Sequence, residues 1–255
     1  MQPQNSSLPS KVAPVTLAFW AAKICATTVG ETGGDALSMS MKLGYGASTL
    51  LLLGIFIAAL IIQVSTRRYH PTAYWFLVVA TTTVGTTTSD YFDRTLGLGY
   101  VASSTILLAT VIAVLIAWRL STGHIAVDQV SDGKDEIFYW VTIVVANTLG
   151  TALGDFVATT TGLGFEKGAL VFAGLIALVA ILYVSKRLPV SVLFWAAYIL
   201  TRPLGATLGD TLTKSHEEGG LEIGRVVASL GIAAVMALVV AATSLRSRES
   251  SEASA

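Results

Sequence analysis

The sequence predicts an all-helical integral membrane protein with eight transmembrane helices. Hydrophobic residues make up 53% of its 255 residues and charged residues only 13%, about half the charged share of a soluble domain. Eight apolar segments are each close to the ~20 residues that a helix needs to cross a bilayer. In addition, one tryptophan-containing pattern occurs four times, and each copy covers two of these segments.

The eight predicted spans follow one another without a soluble domain between them. They are too long for strands of a membrane barrel and lack the alternation of such strands. Pro14, Pro71 and Pro189 lie at the start of three spans, where the missing N–H of proline costs little. The spans are expected at residues 15–37, 47–64, 73–89, 101–118, 138–158, 169–184, 190–211 and 223–243.

The distribution of basic residues predicts the orientation of the spans. One set of span ends carries Lys11, Arg67, Arg68, Arg119, Lys134, Lys186, Arg187, Arg246 and Arg248. The opposite set carries fewer: Lys42, Arg94, Lys167, Lys214 and Arg225. Positive charge is retained on the cytoplasmic side, so both termini and the loop 119–136 are expected in the cytoplasm, with the protein in the cell (inner) membrane. The start of the chain lacks the pattern of a signal peptide.

A fourfold internal repeat determines the predicted architecture. A tryptophan is followed by a glycine after ten residues and an aspartate after fifteen, in the sets Trp20, Trp75, Trp140, Trp195; Gly30, Gly85, Gly150, Gly205; and Asp35, Asp90, Asp155, Asp210. The repeats cover approximately 14–68, 71–120, 136–187 and 189–245 of a single membrane domain. Because each has two spans, all four cross in the same sense, which predicts quasi-symmetry about the membrane normal. The tail 246–255, rich in serine and glutamate, is expected to be disordered.

These motifs resemble a known family. The most specific stretch is the segment KICATTVGETGGD at 23–35, followed by Leu43-Gly44-Tyr45. With the four tryptophans, it is similar to bacterial inner-membrane proteins built from four tandem two-helix repeats of unknown function. The resemblance covers nearly the whole chain. It implies the topology given above and no particular activity.

Small residues recur at four-residue spacing on the first helix of each repeat. Such stripes let helix backbones approach closely in lipid. We therefore expect the four odd-numbered helices to form an inner ring and the even-numbered helices, which are apolar nearly all round, to lie outside. The stripe includes Gly30, Gly34, Gly85, Gly150, Gly154, Gly205 and Gly209. The four repeat tryptophans are interpreted as interface anchors.

A polar column lies beside each stripe of small residues. The columns read Lys23, Thr27, Glu31, Asp35; Thr82, Thr86, Asp90, Arg94; Asn147, Thr151, Asp155, Thr159; and Arg202, Ala206, Asp210, Lys214. Residues four apart are neighbours on a helix. Counted from the tryptophans at 1.5 Å per residue, the four aspartates lie ~22 Å along their helices, in the outer third of the membrane. Gly33-Gly34 could alternatively break the first helix, which would leave Asp35 to cap a new one.

The charges of these columns indicate an ion- or proton-binding site. A charge inside lipid costs ~2.5–3.5 kcal/mol even on a lenient scale. The candidate ion- or proton-binding residues are Glu31, Asp35, Asp90, Asp155, Asp210, Asn147, Thr27 and Thr82, with Lys23 and Arg202 as internal counter-charges. At least one of these two bases should contact one of the five carboxylates. Asp155 has no base in its own column, so it is expected to be the carboxylate with the least stabilisation by a nearby positive charge.

Two functional hypotheses follow, and neither is enzymatic. The first is a transporter or exporter of a hard divalent cation such as Mn²⁺, Mg²⁺ or Ca²⁺, with or without proton coupling, because oxygen ligands suit such ions. The second is a structural or partner-binding membrane protein whose charges only fix helix register. No nucleophile–base pair is recognisable at a known spacing. The formal net charge of zero argues against nucleic acid as a partner.

Overall fold

A computed structural model describes residues 11–66, 69–130 and 133–252. The fold is all-helical, as the hydropathy pattern predicted. Eight long helices follow in order: α1 Leu17–Asp35, α2 Tyr45–Ser65, α3 Pro71–Asp90, α4 Tyr100–Thr122, α5 Gly133–Asp155, α6 Phe165–Ser185, α7 Val190–Thr213 and α8 Arg225–Glu252. Six are long and apolar enough to cross a membrane, namely α2, α4, α5, α6, α7 and the part of α8 up to Leu245. These features are consistent with a multi-pass membrane protein.

The first helices of the four repeats contact one another in a closed ring. Helix α1 packs against α3, α3 against α5, α5 against α7, and α7 against α1. Each second helix packs on the first helix of the following repeat: α2 on α3, α4 on α5, α6 on α7, and α8 back on α1. Most residues of the odd helices are buried, whereas the even helices expose large apolar side chains such as Leu50, Leu108, Leu178 and Leu238.

The glycine stripes form the seams of this ring. A methyl group added to Gly85 would lie 3.0 Å from a backbone carbon of Asn147 on α5, and one added to Gly30 2.9 Å from that of Thr82 on α3. Gly205 meets Thr27 on α1 at 2.9 Å in the same way, and Gly150 meets Pro203 on α7 at 3.0 Å. These contacts leave no space for a side chain, so glycine is what lets neighbouring helices pack this closely. Gly34, Gly154 and Gly209 also face the next helix.

The ends of the odd helices have a shared geometry. Helix α1 runs unbroken through Gly33 and Gly34, which decides against the broken-helix alternative. One π-helical turn follows each of the first three repeat aspartates, at Ala36–Ser40, Tyr91–Thr95 and Phe156–Thr160. The next helix then begins after a glycine with positive φ, at Gly44 (75°), Gly99 (73°) and Gly164 (77°). The Leu-Gly-aromatic motif is therefore the start of each of these even helices.

Two expectations need correction. The tail was expected to be disordered from residue 246, but α8 continues to Glu252; extending an existing helix adds one hydrogen bond for each residue fixed, so it is far cheaper than starting one. Residues 253–255 lie outside the described part. Trp75, Trp140 and Trp195 are buried, not exposed at an interface, and Trp20 is half-buried.

The tryptophans belong to an aromatic cluster that fills one end of the ring. Trp140 packs edge-on against Tyr139 at 5.0 Å between ring centroids, and Trp75 against Tyr74 at 5.4 Å. Such edge-to-face contacts add to the free energy gained by burying a large ring. The hydroxyl groups of Tyr74 and Tyr139 hydrogen-bond each other at 2.7 Å. The polar columns lie toward the opposite end of the ring from this aromatic cluster.

Candidate ion site in the helix ring

The polar columns stack into layers because the four odd helices carry them in the same register. The four repeat aspartates form the first layer, called here the carboxylate layer: Asp35, Asp90, Asp155 and Asp210. One turn deeper lie Glu31, Thr86, Thr151 and Ala206, and the next turn brings Thr27, Thr82, Asn147 and Arg202. The charged residues among them are at most 3% exposed. Lys23, one further turn along α1, is fully buried.

Two bases bridge the carboxylate layer between repeats. Arg94 is 3.0 Å from Asp90 on its own column and 3.1 Å from Asp155 on the next helix. Lys214 is 3.4 Å from Asp210 on its own column and 3.9 Å from Asp35 on the next helix. Each bridge therefore joins two repeats. The second and fourth repeats supply the bases, because the corresponding positions of the first and third repeats hold the uncharged residues Met39 and Thr159.

The aromatic residue of the Leu-Gly-aromatic motif covers these bridging bases. The Tyr45 hydroxyl accepts a hydrogen bond from Arg94 Nη1 at 3.2 Å, and the Arg94 guanidinium lies 5.8 Å from the centre of its ring. In the other half of the chain, Lys214 Nζ lies 5.6 Å from the centre of the Phe165 ring. A cation over an aromatic face is stabilised electrostatically. The motif thus contributes to the site as well as to the helix start.

A buried ion pair occupies the layer below. Arg202 Nη2, with two N–H groups, lies within hydrogen-bond distance of three acceptors: Glu31 Oε2 at 2.9 Å, Thr86 Oγ1 at 2.5 Å and Thr151 Oγ1 at 2.6 Å. These contacts join all four ring helices at one fully buried guanidinium. The expectation that Lys23 or Arg202 contacts one of the five carboxylates is confirmed by Arg202.

Three carboxylates come close enough to share one ligand. One oxygen from each of Glu31, Asp35 and Asp210 lies within 4.8 Å of the others. Asp35 comes from the end of α1 and Asp210 from α7, so the seam between the first and last repeats creates this group. We refer to these residues as the acidic triad. Arg225 at the start of α8 adds a base beside it, at 3.4 Å from Asp35.

The comparison with protein families agrees with this repeated geometry. The family described as Repeat of Unknown Function (DUF347) matches four successive parts of the chain, at residues 18–69, 73–124, 138–188 and 193–249. The chain belongs to this family. The resemblance inferred from the tryptophan pattern is thereby confirmed. Neither a curated protein nor a solved structure matches the chain.

Thr82 and Thr27, which were predicted to bind an ion, form hydrogen bonds between packed helices instead. The hydroxyl of Thr82 donates to the carbonyl of Ala26 on α1 at 3.0 Å, and that of Thr27 to the carbonyl of Thr201 on α7 at 3.2 Å. These bonds pin neighbouring helices at the seams. Asn147 contacts Lys23 Nζ at 3.4 Å through its carbonyl oxygen. Asn147 also donates its amide to Thr81 Oγ1 on α3 at 3.0 Å, so all three residues use hydrogen bonds to join neighbouring helices.

Asp155 corrects one expectation and Asp93 adds a residue that the columns did not reveal. Asp155 is not without a base, because Arg94 reaches it from the neighbouring repeat; the column considered alone could not show this. Asp93, in the π-helical turn after α3, is buried and accepts hydrogen bonds from Ser89, at 3.2 Å, and from Ser103. A helix wheel misplaces Asp93 because a π turn breaks the four-residue spacing.

Acids and bases are nearly matched in number in this half of the ring. The column acids are Glu31 and the four repeat aspartates, and the bases are Lys23, Arg94, Arg202, Lys214 and Arg225. These five negative and five positive formal charges give zero, and the buried Asp93 adds one further negative charge. An excess of three negative charges, counted from Lys23 and Arg202 alone, is therefore removed by bases that reach in from the ends of α3, α7 and α8. Positive and negative charges are not evenly distributed along the ring. The two bases nearest the aromatic cluster are Lys23 and Arg202, and among the five column acids Glu31 is the one that contacts either of them.

Proposed function

We propose that the protein is a multi-pass transporter of a hard divalent cation, with the acidic triad as its ion site. The observation that carries the proposal is the approach of Glu31, Asp35 and Asp210 to within 4.8 Å of one another. Three carboxylates this close repel one another, and each also has a base within 4 Å, namely Arg202, Lys214 or Arg225. A bound cation would take over from these bases in offsetting the repulsion. Oxygen ligands without thiolate or imidazole suit Mn²⁺, Mg²⁺ or Ca²⁺.

The proposed setting is the cell (inner) membrane with eight spans and cytoplasmic termini. Helices α1 and α3 are more polar than the other six, and we assign them as spans because the even helices shield the ring around them. The cyclic contacts between successive repeats support quasi-symmetry about the membrane normal. The aromatic cluster then lies toward the cytoplasm and the carboxylate layer toward the outside, as the distribution of basic residues favours.

The bridging bases supply a means of releasing a cation. Lys214 lies 3.4 Å from Asp210 and 3.9 Å from Asp35, so its ammonium group occupies a position from which it competes with a metal ion for two members of the triad. A cation entering the triad must displace this ammonium, and its return favours release. Protons on the triad carboxyls would compete in the same manner. This competition is the physical basis of the proposed proton coupling.

A second candidate function is a structural or partner-binding membrane protein. The ion pairs of Arg202, Arg94 and Lys214 favour it, since buried charges that have partners can fix helix register without binding an ion. Under this hypothesis Arg202, Arg94 and Lys214 are cross-links between helices. The two candidates differ in one measurable respect, namely whether the acidic triad exchanges a cation with solvent.

Transport in proteoliposomes tests the proposal. The purified protein is reconstituted, and flux of Mn²⁺, Mg²⁺ and Ca²⁺ is recorded with and without a pH gradient. We expect flux of at least one ion, and a loss of at least tenfold in Asp210→Asn. Glu166→Gln is the matched control, because Glu166 is an exposed acid at the start of α6. Flux that is absent for the whole panel, in protein shown to be folded, would favour the structural candidate.

A further inference from the structure

Below the acidic triad, the ring contains a second polar region, whose charged residues are mainly basic. Lys23 on α1 and Arg202 on α7 are both fully buried. Only Glu31 among the five carboxylates contacts either of them, through Arg202. With each group counted in its ordinary protonation state in water, two positive charges and one negative charge give a formal excess of one positive charge in the interior of the bundle, where charge is most costly.

The two bases have hydrogen-bond donors that the protein does not use. Arg202 makes all its hydrogen bonds through Nη2, while its Nε and Nη1 have no acceptor among the residues that the structure describes. Within the described part of the chain, Lys23 Nζ has one hydrogen bond, of 3.4 Å, to Asn147 Oδ1, and its ammonium lies 4.1 Å above the ring of Tyr198. Buried charged donors are ordinarily paired. These unused donors therefore call for an acceptor that the chain does not provide.

The two bases lie in successive layers of the ring. Lys23 Nζ contacts Asn147 and Arg202 Nη2 contacts Thr151, two residues that lie one turn apart on α5. On α7 the same step separates Tyr198, under the Lys23 ammonium, from Arg202 itself. An acceptor between these two layers would be shared by both bases.

We infer that Lys23 and Arg202 form a binding site for a small monovalent anion. The chemistry fits either a halide or the carboxylate of an organic molecule, since both carry one negative charge and accept several hydrogen bonds. A bound anion would balance the excess positive charge and satisfy the unused donors. This site adjoins the acidic triad through the contact between Arg202 and Glu31, but it uses donors of Lys23 and Arg202 that the triad leaves free.

Thermal unfolding of the full-length protein in nanodiscs tests the inference. Choline chloride or choline acetate replaces the choline salt of HEPES, a bulky sulfonate, at constant ionic strength. No metal ion is then present, and the reference anion is neither a halide nor a carboxylate. A ligand that binds only the folded state raises Tm, and we expect a saturable increase of roughly 5–10 °C at a 100-fold excess over Kd. The chloride and acetate arms distinguish a halide from a carboxylate ligand. Failure of cation transport would not affect this result.

Two lysine substitutions make the test specific. Lys23→Met should abolish the anion-dependent increase and should raise Tm in the reference salt alone, because it removes a fully buried amine with one long hydrogen bond. Lys167→Met is the control, since Lys167 is exposed in the first turn of α6, and it should respond to the anion as the parent does. An increase in Tm that persists in Lys23→Met would place the anion elsewhere and overturn the inference, as would a parent protein that responds to neither salt.

A crystallographic measurement covers the case in which Lys23→Met does not fold. Crystals of the parent protein are soaked in bromide, and the anomalous signal is mapped. We expect a peak between Lys23 Nζ and the free edge of the Arg202 guanidinium. A map at saturating bromide without a peak there, or with water in its place, rejects the anion site.

Discussion

Arg94 joins two repeats by lying between their aspartates, 3.0 Å from Asp90 and 3.1 Å from Asp155. Its side chain is 30% exposed, whereas both carboxylates are nearly fully buried. One partly solvated base thus supports two buried acids. Lys214 has the same relationship to Asp210 and Asp35, so the carboxylate layer is held by two such bridges.

The first prediction concerns this bridge. Arg94→Met should destabilise the folded protein by on the order of 2 kcal/mol, because two buried carboxylates lose their base while the partial exposure of Arg94 lowers the loss. Chemical denaturation of the detergent-solubilised protein measures the change. Arg119→Met, at an exposed arginine on α4, should be within about 0.5 kcal/mol of the parent. Equal stability of the two variants would show that the bridge contributes nothing.

The second prediction concerns the glycine seams. Gly150→Leu should lower the stability by a few kcal/mol, since its side chain would overlap the Arg202 side chain and Pro203, and overpacking typically costs about 1–3 kcal/mol. Gly174→Leu on α6 provides a matched control because nothing lies within 4 Å of the position of its Cβ. A thermal-shift assay should show a lower Tm for the first variant only. If Gly150→Leu unfolds at the parental temperature, the seam does not depend on glycine.

The ring of odd helices could be predicted from the sequence because small and polar residues repeat at a fixed spacing. Gly30, Gly85, Gly150 and Gly205 all occupy seams of this ring. The bridges could not be predicted in the same way, since a column describes one helix and Arg94 acts on Asp155 of the next. The register between neighbouring helices decides which charges meet. That register depends on side-chain packing over the whole seam, and it cannot be predicted from the sequence of a single repeat.

The burial of the repeat tryptophans could not be predicted from the sequence pattern either. An aromatic residue near the end of an apolar segment is typical of a membrane interface, and the same residue is equally suited to an internal cluster. Trp195 is 2% exposed and donates from its indole nitrogen to the carbonyl of Ile125 at 3.0 Å. The loop 119–136 supplies that acceptor. Burial of Trp195 therefore follows from a long-range contact that periodicity cannot reveal.

The third prediction concerns the ion pair of Glu31 and Arg202. Removing Arg202 alone leaves a buried carboxylate without its base, which costs roughly 3–5 kcal/mol. Arg202→Gln should therefore be strongly destabilising, whereas the double variant Glu31→Gln/Arg202→Gln should recover a large part of the loss. The difference appears as a coupling energy in a double-mutant cycle measured by chemical denaturation. Additive effects, with a coupling below about 0.5 kcal/mol, would mean that the pair does not act as a unit.

The last prediction distinguishes the acidic triad from the other aspartates. Asp155 has its own base in Arg94 and lies outside the triad, whereas Asp35 contributes one of the three clustered oxygens. Asp35→Asn should therefore weaken Mn²⁺ binding at least tenfold, because it removes one charged ligand of three. Asp155→Asn should keep the fold and change the affinity less than threefold, since Arg94 remains paired with Asp90. Isothermal titration of the purified proteins at fixed pH measures both constants. An equal loss in the two variants would show that the carboxylate layer binds as a whole, and a parent without measurable Mn²⁺, Mg²⁺ or Ca²⁺ binding would reject the triad as a metal site.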